Sequence, residues 1–84
     1  MSPVVIYTWT VCPYCVRAKN LLKSKGVSFE EINLDGKDQE LAELRARTGM
    51  KTVPQIFISN KLIGGFSDLS ELESEGKLDE LLGL

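Results

Sequence analysis

Between Val4 and Leu34 the chain changes hydrophobic period twice, from strand to helix and back to strand, and this restricts the fold more than any other feature. Val4-Val5-Ile6-Tyr7-Thr8 is an almost unbroken β-branched and aromatic run, which suits a central strand covered on both faces. After Pro13 the residues Tyr14, Cys15, Ala18, Leu21 and Leu22 recur at helical spacing, while Arg17, Lys19, Asn20 and Lys23 face away; Gly26 ends the pattern. Pro13 suits the first helical position, where its missing N–H leaves no bond unmade. Ser28 to Leu34 reads as an edge strand, Ile32 and Leu34 alternating with Glu31 and Asn33. Strand, helix and strand within about thirty residues form a βαβ unit, with the strands parallel and the crossover right-handed.

Downstream, Asp35-Gly36 opens a second helix, roughly Lys37 to Thr48, with Leu41 and Leu44 inward and Gly49 as its stop. Gln55 to Ser59 is a strand, Asn60-Lys61 a two-residue turn, and Leu62-Ile63 the hairpin partner ahead of Gly64-Gly65. Asp68-Leu69-Ser70-Glu71 has a capping-box pattern and starts a last helical region through Leu72, Leu78, Leu81 and Leu82, broken at Gly76. The order predicts one α/β domain over residues 1–84: a four-stranded mixed sheet, two parallel strands plus an antiparallel hairpin, with helices on both faces.

Ten Lys and Arg against twelve Asp and Glu give a net charge of −2, so the chain lacks the basic field that draws proteins to phosphate backbones, and nucleic acid is not an expected partner. No apolar run approaches a membrane span, and Met1-Ser2-Pro3-Val4-Val5 has neither the charged start nor the apolar stretch of a secretory leader. A cytoplasmic protein is expected, with no membrane partner.

The only cysteines, Cys12 and Cys15, lie one helical turn apart, too close for a bond between them to remove much unfolded-state entropy. Their value is chemical. At a helix start the two sulfurs face the same side and can bond without unwinding the helix. Unpaired N–H groups and the helix dipole favour a thiolate at Cys12, whereas Cys15 sits one turn inside, under the apolar side, and is the less acidic. Cys12 is therefore the expected nucleophile and Cys15 the thiol that resolves the resulting mixed disulfide. There is no histidine, which argues against a Cys–His hydrolase; thiol exchange needs no general base once the thiolate exists. Half of a zinc site, completed by a partner, or a pair of inert core cysteines are the alternative readings of an isolated CxxC. A CxxC after the first strand of a βαβ pattern is the redox motif of thioredoxin-like proteins.

Cys12-Pro13-Tyr14-Cys15, Thr52-Val53-Pro54 before the third strand, and Gly64-Gly65-Phe66-Ser67-Asp68 after the fourth occur together in an order and spacing that resemble the dithiol glutaredoxins. The resemblance covers nearly the whole chain and implies a thioredoxin-like fold and a glutathione-dependent thiol–disulfide oxidoreductase. In that family the proline matching Pro54 is cis, and the backbone matching Val53 pairs with the cysteinyl part of glutathione. The resemblance further implies that Gly65 lets the ligand approach, that Ser67 and Asp68 hold its γ-glutamyl end, and that Lys51 meets its glycine carboxylate. Thr52 belongs to the same strip, and Tyr14 lines the groove. Capping the last helix is a competing role for Ser67 and Asp68, as solvation is for Lys51 and packing on its own helix for Tyr14. Many glutaredoxins carry a lysine three residues before the first cysteine, where this chain has Trp9.

The implied partners are glutathione, as reductant and co-substrate, and disulfide-containing or glutathionylated proteins. A monomer without metal is expected. Two further readings are an iron–sulfur binding module, disfavoured by Pro13 and Tyr14, and a thioredoxin-like reductase driven by a flavoprotein, which would leave the Gly65 to Asp68 groove without a purpose.

Overall fold

The computed structural model describes residues 2–84, so Met1, at the head of the segment read for a leader, lies outside the described residues. The elements are β1 (Val4–Thr8), α1 (Pro13–Ser24), β2 (Glu30–Asn33), α2 (Asp38–Thr48), β3 (Gln55–Ile58), β4 (Lys61–Gly64), α3 (Phe66–Ser74) and α4 (Leu78–Leu82). The strands form one mixed sheet in the order β2-β1-β3-β4. β1 runs parallel to β2, with Tyr7 opposite Ile32, and antiparallel to β3, with Ile6 opposite Ile56. β3 and β4 form the antiparallel hairpin. A parallel pair next to an antiparallel hairpin is the mixed sheet expected from the element order.

The sheet has two unequal faces because side chains alternate along each strand. Val4, Ile6, Ile56 and Ile58 join Ala18 and Leu22 of α1, Leu69 of α3, and Leu78 and Leu82 of α4 in the larger core. Tyr7, Ile32 and Phe57 point the other way and meet Leu41 and Leu44 of α2 in a smaller cluster that also holds Cys15, Leu34 and Val53. β1 is central, as expected, yet it is not covered equally: Val4, Ile6 and Thr8 are buried while Val5 and Tyr7 remain half-buried. One helix cannot roof the second face as three roof the first.

Three boundaries differ from the sequence reading. β2 starts at Glu30 rather than Ser28, since its pairing with β1 begins only where Glu30 meets Val5. The hairpin turn is Ser59-Asn60 rather than Asn60-Lys61; both take positive φ (53° and 64°), the mirror-image turn that matches strand twist, and Lys61 is already paired with Ile58. α3 starts at Phe66, two residues before the capping-box pattern at Asp68, with Gly65 as its N-cap. Gly76, with φ of 72°, separates α3 from α4 as expected.

Candidate active site

The loop after β1 delivers Cys12 to the N-cap of α1 with an extended backbone (φ −154°, ψ 96°), and Pro13 takes the first helical position. This conformation turns the Cys12 sulfur over the first turn, where the Cys15 N–H donates to it at 3.1 Å. Cys12 and Cys15 are joined as a disulfide, with Cα atoms 5.2 Å apart. Cys12 is partly exposed, whereas Cys15 is only 1% exposed, packed with Leu34, Leu44 and Val53. An outside thiolate can therefore reach only one of the two sulfurs. In the dithiol form the same Cys15 N–H and the α1 dipole lie against the Cys12 sulfur and stabilise its thiolate.

The loop carrying Cys12 is tied to β2 by a ring of polar contacts. Asn33 Nδ2 donates to Thr10 Oγ1 at 3.0 Å, Thr10 N–H donates to Asp35 Oδ1 at 3.0 Å, and Asp35 N–H donates to Asn33 Oδ1 at 2.8 Å. The Thr10 side-chain and backbone donors hold the Asp35 carboxyl below its ordinary range. Nothing in the local sequence pattern announces this ring, because Thr10 lies more than twenty residues from both Asn33 and Asp35.

Trp9 lies three residues before Cys12, where the resemblance leads to the expectation of a lysine. It is half-buried and packs on the cluster that contains Cys15 and Val53, with Cys12 beside it. It supplies an apolar wall and no charge.

On the other side of the sulfurs runs a groove of about 330 Å³. Its walls come from three separate segments: Tyr14 on α1, Thr52, Val53 and Pro54 before β3, and Gly65, Ser67 and Asp68 at the start of α3. The structure thus brings together seven of the eight residues expected to contact a ligand. The eighth, Lys51, is exposed and does not line the groove; its backbone carbonyl accepts from Arg45 Nε at 2.9 Å. Val53-Pro54 is cis, and Val53 O lies 3.9 Å from the Cys12 sulfur, which places the groove directly beside the reactive atom. Tyr14 is 57% exposed, with Phe66 across the groove at 6.3 Å between ring centroids and the Arg17 guanidinium 5.3 Å from its ring. It both lines the groove and packs against its own helix.

Asp68 sits one turn inside α3, and its Oδ2 accepts from Gly65 N–H at 2.9 Å. This is half of a capping box, supplied from the third helical residue rather than from the N-cap. Asp68 Oδ1 makes no hydrogen bond among the described residues, so capping and ligand contact are compatible. Met50 and Phe66 also line the groove and were not singled out by sequence, although Phe66 stands inside the Gly64 to Asp68 motif. A wider hollow of about 610 Å³, between Tyr7, Arg47 and Phe57 on the other sheet face, is lined by none of the residues expected to contact a ligand.

The family model described as Glutaredoxin matches residues 4–63. The chain is 57% identical to "Glutaredoxin" of Pseudomonas aeruginosa across 98% of both chains. The chain belongs to the glutaredoxin family. It is also 54% identical to "Glutaredoxin 3" of Escherichia coli strain K12, over 98% of this chain and 99% of that one. Among solved structures, the buckwheat glutaredoxin–glutathione complex superposes with a TM-score of 0.93 at 38% identity, over 98% of this chain and 77% of that one. This chain thus has the thioredoxin-like fold of its family, with its Cys12–Cys15 pair at the N-terminus of α1.

Proposed function

We propose that this glutaredoxin reduces protein disulfides and protein–glutathione mixed disulfides through Cys12 and Cys15, with glutathione as the reductant. The observation that carries the reading is the reactive sulfur at the N-cap of α1, 3.9 Å from Val53 O at the edge of a groove. The buckwheat glutaredoxin of the same fold is a glutathione complex, which supports glutathione as the occupant.

With a glutathionylated protein, the Cys12 thiolate attacks the glutathionyl sulfur. The old S–S bond breaks, a Cys12–glutathione bond forms, and the protein leaves as a thiolate that takes up a proton. A second glutathione thiolate then attacks this bond and leaves as glutathione disulfide, returning Cys12 as thiolate. With a protein disulfide, Cys12 forms the mixed disulfide with the substrate, and Cys15 loses its proton and attacks the Cys12 sulfur. The substrate is released as a dithiol and the Cys12–Cys15 disulfide remains for two glutathione thiols to reduce.

The groove selects which sulfur is attacked by holding one half of the substrate in line. In this reading the Val53 backbone, next to Thr52 and Pro54, pairs with the cysteinyl part. Gly65 leaves room for it, and Ser67 with Asp68 at the N-terminus of α3 holds the γ-glutamyl end, Asp68 against its ammonium. Tyr14 forms the opposite wall, and exposed Lys51 offers a cation to the glycine carboxylate. We further infer a single-domain monomer in a reducing cytoplasm, where a glutathione pool keeps the dithiol available.

Preference between two leaving halves tests the groove. One peptide cysteine capped either with glutathione or with 2-mercaptoethanol offers the same protein side and a different small side. The expected result is a kcat/KM at least ~10-fold higher for the glutathionyl peptide, about one well-made contact set. Equal values for the two would remove the glutathione assignment.

A further inference from the structure

Gln55 opens β3 immediately after cis Val53-Pro54, and its side chain is fully buried in the middle of the sheet. Its amide nitrogen donates to two carbonyls of the preceding loop, Met50 O at 3.2 Å and Thr52 O at 3.1 Å. Its amide oxygen makes no hydrogen bond to any described residue. For stability alone this is a poor choice. A hydrophobe of equal volume would fill the place without an unpaired buried acceptor, and Met50 and Thr52, which are not buried, could give their carbonyls to water. What a hydrophobe cannot do is fix the orientation of the peptides on either side of Thr52. Those peptides lead directly into Val53 and Pro54 on the groove wall.

We propose that Gln55 is a positioning residue for glutathionyl recognition: its amide clamps the Met50 and Thr52 carbonyls and so presents the Val53 backbone to the ligand in one orientation. The inference rests on the glutathione reading above and adds to it the residue that shapes the groove from beneath. Gln55 does not line the groove and its side chain bonds only to Met50 O and Thr52 O, so its loss acts on binding and leaves the reactivity of Cys12 intact.

The test compares wild type and Gln55→Met, which keeps the volume and removes both donors. The readouts are KM and kcat for the glutathionyl and 2-mercaptoethanol peptides, the alkylation rate of reduced Cys12 by iodoacetamide, and the urea midpoint. Expected are a rise in KM for the glutathionyl peptide of ~10-fold, corresponding to one or two hydrogen bonds, with no rise for the 2-mercaptoethanol peptide and an unchanged alkylation rate. An unchanged KM in a folded variant, or a KM rise equal for both peptides, overturns the proposal while the wild-type preference for glutathione still stands. A wild type without that preference removes the glutathione reading and this proposal with it. Gln55→Leu serves if Gln55→Met does not fold. Failure of both to fold makes Gln55 a folding residue and also overturns the proposal.

Discussion

The Cys15 N–H is 3.1 Å from the Cys12 sulfur, and no charged side chain makes a hydrogen bond to that sulfur among the described residues. The Cys15 N–H and the N-terminus of α1 are thus the groups placed to favour a thiolate at Cys12, and Trp9 adds an apolar wall without charge. Because Trp9 shares a cluster with both cysteines, its fluorescence should differ between disulfide and dithiol protein. Identical emission spectra in the two states would place the indole away from the sulfurs. Gly64 carries a second residue-level prediction. Its φ is 124°, and an added Cβ would overlap the Asp68 carboxylate that caps Gly65 N–H. Gly64→Ala should lower the urea-derived stability by more than about 1 kcal/mol and raise the KM for the glutathionyl peptide. A variant with wild-type values of both would show that Asp68 can move without consequence. The pairing of the two cysteines was legible in the sequence because a CxxC at a helix start after the first strand of a βαβ unit brings its sulfurs together. Gln55 and the Thr10, Asn33 and Asp35 ring were not, because their roles depend on partners that only the folded chain brings close.

At the level of elements, α3 links the core to the groove. Leu69 is fully buried in the larger cluster, while its neighbours Ser67 and Asp68 line the groove. Leu69→Ala should cost about 2–5 kcal/mol through lost burial and the cavity left behind, seen as a lower urea midpoint. A shift below ~1 kcal/mol would mean that the site collapses freely. The elements themselves were readable from periodicity: the βαβ start, the hairpin and the break at Gly76 all occur. Their ends were less so. Asp68 carries the signature of an N-cap, but Gly65 takes that position and Asp68 serves from inside the helix, since either arrangement pairs a carboxylate with an early N–H. The turn moved by one residue because Ser59 can take the left-handed conformation that the pattern assigned to Asn60 and Lys61.

For the molecule as a whole, two carboxyls tie neighbouring segments together and contribute to its response to acid. Thr8 Oγ1 donates to Glu31 at 2.7 Å and Lys19 Nζ lies 3.0 Å from the same oxygen, which lowers the Glu31 pKa; Thr10 lowers that of Asp35. A depressed folded-state value means that the unfolded chain binds the proton first as pH falls. The stabilisation from these groups is complete above their ordinary values, 4.5 for Glu31 and 3.8 for Asp35, and is lost as pH falls through the lower folded values. The urea midpoint should therefore fall as the pH drops below about 5, and by less in Glu31→Gln. An equal drop in both proteins would show that Glu31 gains nothing from its partners on folding. Function depends on a different whole-molecule property, the exposure of one sulfur and the burial of the other beside a groove. The deciding measurement is glutathione-driven deglutathionylation of a model mixed disulfide by Cys15→Ser, with Cys12→Ser as the blank. Turnover that survives the loss of Cys15 and vanishes with Cys12 is the predicted result. An inactive Cys15→Ser, with wild type still reducing protein disulfides, would make the chemistry obligatorily dithiol and contradict the glutathione groove.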